Sequence, residues 1–235
     1  MGLREDMQND FKSTKSDYVH SMINAAISTL PVAGSFASEI FNTVISTPLE
    51  KRKERWMVSI VEGLEELQKK VDGFNVESLS QNELFISILN RTSQLAISNH
   101  QEEKVTALRN AVMNTALNIK IDENEQMMFL NLIDSITPWH IKLIDYFYDP
   151  RERFKENNIK PTEYMMGSPV SPLVEFYPEL VNRDDLINIL VKELYNDGIL
   201  NIKDLNVSMT SNGMYEPRLT EYGKRFLSFI KKPSC

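Results

Sequence analysis

The sequence predicts a mainly α fold: a multi-helix bundle over residues 15–148, then a smaller unit over 171–235 in which helices flank a hairpin. Three observations predict it. Apolar residues recur at three- and four-residue steps through the first 148 residues, the mark of helices with one buried face. The stretch 127–150, MMFLNLIDSITPWHIKLIDYFYDP, leaves only narrow polar stripes, so its helices must pack against protein on most sides. Past Gly198, the short apolar runs 199–200, 205–209 and 215–219 surround Ser211-Asn212-Gly213, a hairpin turn signal.

Composition is that of a soluble globular chain. Of 235 residues, 42% are hydrophobic and 25% are charged. The polar start MGLREDMQND lacks the basic-then-apolar pattern of a secretory signal. Cys235 is the one cysteine, so no intrachain disulfide can form, and a reducing cytoplasm is the expected compartment. The net charge of −7 is uneven: residues 1–150 carry 14 Lys+Arg against 21 Asp+Glu, and residues 151–235 carry 12 against 12. Neither part has the cationic excess that drives phosphate-backbone binding.

Residues 1–14 are polar and read as a flexible N-terminus. From 18 to 45 the character changes: SMINAAISTLPVAGSFASEIFNTVIST holds one charge, Glu39. Pro31 and Gly34 split it into two short helices, about 16–29 and 35–46, rich in small residues. A buried hairpin is one reading. The other is a hairpin that enters a membrane on activation, although each arm is shorter than the ~20 apolar residues of a transmembrane helix. Thr47-Pro48-Leu49-Glu50 then has the form of a capping box with Pro at the first helical position. It opens a helix over 48–72 with Trp56, Ile60, Val61, Leu64 and Leu67 on one face and Gly73 as its stop. Its first turns carry Lys51-Arg52-Lys53-Glu54-Arg55, a solvated face or a headgroup contact beside an inserting hairpin.

Further helices are expected over 80–98, 101–119 and 124–136. Thr137-Pro138 breaks the next run, since Thr caps well and Pro is tolerated at the first helical position; the following helix covers 138–148. Residues 149–170 have three prolines, a glycine and no apolar period, and read as a linker or long loop. A short helix from Ser171-Pro172, a helix over 184–197 and a helix capped by Thr220 complete the tail.

No reactive constellation emerges. No glycine pattern cradles phosphate, no nucleophile elbow is present, and His20, His100 and His140 are far apart without metal-ligand spacing. His140, in a first helical turn beside Trp139, reads as packed or capping. No catalytic, cofactor-binding or metal-binding residues are expected, and no enzyme activity.

The runs LVKELYNDGIL (190–200) and RLTEYGKRFL (218–227) resemble a MarR-type winged helix over about 60 residues. That resemblance implies a fold used on DNA or on proteins. The helix 184–197 presents Asp184, Asp185, Glu193 and Asp197 beside Asn188 and Lys192, and the wing adds Lys203 and Arg218. The acids disfavour nucleic acid, and a protein-contacting or purely structural tail is the expectation. LPVAGS (30–35), PLEKR (48–52) and FLNLIDSITP (129–138) resemble uncharacterised bacterial helical proteins, and the layout is distantly similar to the Abi-alpha group of abortive infection and phage defence. This implies a bacterial, intracellular, defence-related role. The expectation is a non-enzymatic interaction protein whose partner contacts are Ala33, Gly34, Phe36, Ile40, Phe41, Lys51, Arg52 and Lys53, with homo-oligomerisation open. Two alternatives stand beside it: a membrane-perturbing effector using the hairpin 18–49, and a DNA-binding regulator using Asn188, Lys192, Lys203 and Arg218.

Overall fold

The computed structural model of the chain describes residues 47–233 and is mainly helical. The low-charge hairpin, with Ala33, Gly34, Phe36, Ile40 and Phe41, lies outside the described residues. The described residues divide into two compact units: those up to Ser135 together with those from Phe229 on, and Ile136–Ser228.

The first unit is built from α1 (Thr47–Lys70), a 3-10 turn (Val76–Gln81), α2 (Glu83–Ser98), α3 (Glu102–Ala116) and α4 (Glu123–Ser135). The apolar periods expected for four helices are all realised, with ends shifted by a few residues. Helix α1 buries Trp56, Ile60, Leu64 and Leu67, four residues that its spacing puts on one side. Asn75 and Asn82 cap the 3-10 turn and α2 by accepting from the backbone N–H groups of Glu77 and Phe85. The central element is α3, where Leu108 and the whole run from Asn110 to Ala116 are buried and which packs on α1, α2 and α4. Sequence periodicity understates this helix, because three of those buried positions are Asn110, Asn114 and Thr115.

The second unit holds α5 (Pro138–Tyr148), α6 (Pro150–Glu156), β1 (Met166–Gly167), α7 (Val170–Phe176), a 3-10 turn (Pro178–Leu180), α8 (Asp184–Asn196), β2 (Met209–Thr210), the single turn α9 (Ser211–Met214) and most of α10 (Glu221–Ile230). Residues 150–156, without an apolar period, are helical because Asp149 accepts from the Glu152 N–H, Pro150 fills the first position and Phe154 is wholly buried. Asn158 and Asn182, both at positive φ, end α6 and the 3-10 turn, a backbone state that asparagine tolerates.

The expected wing differs in detail. Ser211-Asn212-Gly213 is a helical turn rather than a hairpin turn, because the Thr210 hydroxyl caps it at Gly213 N. Strand β2 pairs antiparallel with β1, from the segment read as linker. Leu200 bridges Leu219, and the Asn201 N–H donates to the Arg218 carbonyl at 2.9 Å. Around that bridge the motif residues each have a contact. Gly198 takes φ +74°, Thr220 Oγ1 donates to the Gly198 carbonyl and accepts from Gly223 N–H, and Gly223 sits against the Ile199 carbonyl where any Cβ would collide.

Candidate functional site

A half-open groove of about 720 Å³ lies in the first unit between the start of α1, the end of α2 and the start of α3. Three features make it. Helix α1 begins at Thr47-Pro48, so Pro48, Lys51, Arg52 and Arg55 project from its first two turns. Helix α2 ends at Ser98, and Asn99 and His100 form the turn that leads to α3. Trp56 and Ala96, both buried, and half-buried Val105 supply the apolar lining.

Hydrogen bonds hold these parts. Trp56 Nε1–H donates to Ser93 Oγ at 2.9 Å, and Ser93 Oγ donates to the Leu89 carbonyl at 2.6 Å. Arg52 Nη1 donates to the Ile97 carbonyl at 3.3 Å, with the Ser98 carbonyl at 3.5 Å. A cation on the last carbonyls of a neighbouring helix satisfies groups that α2 cannot satisfy itself. Arg109 Nε donates to the Ser59 carbonyl at 3.0 Å, fixing α1 on α3. The α1 wall therefore carries Lys51, Arg52 and Arg55 beside an apolar floor, and Glu102 is the acid on the opposite wall. In a chain of net charge −7 this is a local reversal of sign.

Of the expected contact residues, Lys51 and Arg52 line the groove, and Lys53 lies on the same helix outside the lining. The groove's Trp56, His100, Val105 and Thr106 were not legible as a site, because two turns and three helices bring them together. The one signal was the i, i+4 pair Lys51 and Arg55 directly after a low-charge run.

The tail candidates are dispersed. Asn188, Lys192 and Lys203 are exposed, and Asn188 accepts from Asn206 at 3.0 Å. Arg218 is 11% exposed, pairs with Glu216 at 2.9 Å and donates to the Gly213 carbonyl at 2.6 Å, so it works inside the fold.

Two buried titratable groups, His140 and Lys104, have structural partners. His140, 3% exposed, accepts the Thr137 N–H on Nδ1 at 3.0 Å. That places its proton on Nε2, 2.9 Å from Glu193 Oε2. Nearby Asp197 has its carboxyl pushed up by burial, partly opposed by His140. Lys104 is buried and donates to the Asp134 carbonyl at 2.7 Å, and burial lowers its amine below the ordinary lysine value. Among the described residues, no group of three or more His, Cys, Asp or Glu is placed to hold a metal ion. No helix among them is long and apolar enough to cross a membrane. No family model, no curated protein and no solved structure matches the chain.

Proposed function

We propose that the chain is a non-enzymatic helical interaction protein of a bacterial antiviral defence or stress system, acting through protein–protein contacts at the groove of the first unit. One observation carries this reading: an apolar floor of Trp56, Ala96 and Val105 lies beside a cationic wall of Lys51, Arg52 and Arg55. Apolar anchor pockets with charged rims are where binding energy concentrates in protein interfaces, since the rim orients and the desolvated centre holds. The volume also falls within the roughly 300–1,000 Å³ of ordinary ligand pockets, and the half-open shape suits inserted side chains. The defence assignment rests on the order of a low-charge hairpin, an amphipathic helix, a helical middle and a winged-helix-like end, a layout distantly similar to that of the Abi-alpha group. Residues 171–235 are read as a winged-helix-like module, a reading supported by the order of α8, Gly198, the Leu200–Leu219 bridge and Thr220-capped α10.

Photo-crosslinking in the native host tests this. A photoreactive side chain at Arg55 should capture one protein, and the same group at Lys69, the far end of α1, should not. Adding Lys51→Glu should abolish the capture. Capture of nothing at Arg55, combined with leakage of anionic vesicles that disappears on Lys51→Glu with Lys53→Glu, would replace this reading with the membrane one.

A further inference from the structure

The two ends of α1 carry their charges differently. Toward its C-terminal end Glu65 and Glu66 precede Lys69 and Lys70 by four residues, and both pairs close, at 3.8 and 2.7 Å. Acid before base at that spacing is the order that stabilises a helix. At its start the rule is broken. Lys51 and Arg55 stand four residues apart, a like-charge spacing that costs a helix stability, and they lie toward the end where the helix dipole disfavours cations. Neither makes an ion pair among the described residues; the Arg55 side chain donates from Nε to the Lys51 carbonyl at 3.3 Å. Glu50 and Glu54, the acids of the same stretch, are exposed and outside the groove lining. The cations are thus sorted to the groove side of the helix and the acids away from it.

A local rule broken without a compensating contact in the fold marks a surface that serves a ligand. The groove's own chemistry says which ligand. Its α1 wall offers two positive charges one helical turn apart, roughly 6 Å, beside the floor of Trp56, Ala96 and Val105. Arg52, between them in sequence, is occupied by the last carbonyls of α2. Glu102 stands on the opposite wall, so an acid presented on that side is repelled. A second helix is the complement of this surface. Its apolar stripe enters the groove, and acids one turn apart along one edge of the stripe have the same spacing as Lys51 and Arg55.

We infer that the groove takes an acidic amphipathic helix of a partner protein, with carboxylates at i and i+4 against Lys51 and Arg55, an apolar side chain over Trp56 and Val105, and no acid on the edge that faces Glu102. This names the chemistry of the partner and rests on the reading of the groove as the protein contact. The unequal walls select as well as attract. A helix with its acids on the other edge loses both cations and meets Glu102. Reversing a helix in the groove exchanges its edges, so the same charges fix its chain direction.

A displayed peptide library tests this on the full chain. Each member is a helix-forming peptide with an apolar stripe, and Glu, Lys and Gln are varied along both edges of the stripe. Selection should enrich Glu pairs at i and i+4 on one edge. Those peptides, synthesised and dye-labelled, should bind the full chain more weakly as salt is raised. Lys51→Glu with Arg55→Glu should weaken binding about tenfold and turn the preference to Lys pairs. Lys69→Glu with Lys120→Glu makes the same change in net charge at exposed positions outside the groove lining, and affinity should stay within about twofold. Lys51→Glu alone places an acid four residues before Arg55, the stabilising order, so it should bind less while melting no lower than the parent, which excludes misfolding as the cause. Enrichment without Glu pairs, no enrichment at all, or equal weakening by the two double variants would overturn the inference. So would anionic vesicle binding or self-association that replaces peptide binding and is lost on Lys51→Glu with Arg55→Glu, since the occupant would then be lipid or a second copy. The two failures are separable. A protein captured at Arg55 through a segment without an acid pair overturns this inference and keeps the protein contact, whereas a Glu-pair preference with nothing captured keeps the groove's chemistry and overturns the contact in the host.

Discussion

In the first unit the hydroxyls of Thr92, Ser93 and Thr115 are buried against their own helices, and buried amides and an amine reach carbonyls near helix ends. Asn110 donates to the Ile230 carbonyl at 2.9 Å, Asn114 to the carbonyls of Phe229 and Lys231 at 2.8 Å each, and Lys104 to that of Asp134 at 2.7 Å. In the second unit the interior is a set of rings. Tyr146 meets Phe147, Phe176 and Tyr177, Phe154 meets Phe176 and Tyr215, and centroids lie 5.1–6.0 Å apart. Its phenols run outward to backbone, Tyr177 to the Lys142 carbonyl and Tyr215 to the Thr162 carbonyl. The difference is physical. Long helices have carbonyls at their C-terminal ends that need donors, and α3 supplies them from its own buried face. Short helices leave little aliphatic surface to interlock, so large rings fill the volume.

The first unit should therefore be most vulnerable where its last residues are held. Phe229 is wholly buried and its ring lies 5.6 Å from that of Phe129. Phe229→Ala removes the ring and leaves a cavity, a loss of about 3–5 kcal/mol for Phe-to-Ala changes in cores. The two tryptophans separate the units: Trp56 reports on the first and Trp139 on the second. In denaturant titrations of Trp139→Phe and Trp56→Phe backgrounds, the Trp56 signal should move to much lower denaturant. An unmoved Trp56 transition would break the comparison. Asn114→Leu keeps the bulk and strands two carbonyls, so about 2–3 kcal/mol should be lost on the same signal.

A matching change in the second unit is Gly223→Ala. The added Cβ meets the Ile199 carbonyl, backbone that cannot swing aside. Overpacking of this kind costs about 1–3 kcal/mol, and here the Trp139 signal should register it. A variant as stable as the parent would mean that the α10 start is looser than the Thr220 bonds imply.

How much of this the sequence revealed follows from the same contrast. Helices α1, α2, α4 and α5 were legible because each has an apolar stripe and a start signal, and the Thr137-Pro138 break fell at the observed start of α5. Helix α6 was hidden, since PRERFKE has one apolar anchor, Phe154, whose burial depends on Phe176 and Tyr215 from later in the chain. Ser211-Asn212-Gly213 has the composition of a hairpin turn, yet Thr210 and Met214 make it helical, and β2 finds its partner some 43 residues upstream. The groove was half legible: its cations stand together in the sequence, whereas Trp56 and Thr106 meet only after three helices pack.

Alkali should separate the units further. Burial raises the phenols of Tyr146, Tyr177 and Tyr215 above the ordinary value near 10, Tyr215 to about 12. A raised folded-state pKa contributes stability in full below pH 10 and loses it as pH climbs toward the folded value. Lys104 works in the opposite sense. Burial lowers its amine, so the unfolded chain holds more protons just below its ordinary value of 10.5, and the first unit is relieved of a penalty as pH rises through that window. Between pH 9 and 11 the Trp139 transition should weaken more steeply than the Trp56 transition. Parallel weakening would show that the phenols of the second unit ionise without unfolding it.

The smallest effect should have the opposite sign to the rest. The Tyr146 ring is fully buried, and its hydroxyl has no hydrogen-bond partner among the described residues. A buried hydroxyl without a partner loses its water and gains nothing in return, a cost of about 1–3 kcal/mol. Tyr146→Phe keeps the contacts with Phe147 and Phe176 and removes that cost, so the second unit should become more stable by up to about 1 kcal/mol after the ring relaxes. Tyr177→Phe is the control, because its hydroxyl donates to the Lys142 carbonyl at 3.2 Å and its loss should cost about 1 kcal/mol. If Tyr146→Phe destabilises as Tyr177→Phe does, the Tyr146 hydroxyl is bonded in solution, and the ring cluster is held by its phenols as well as by its faces.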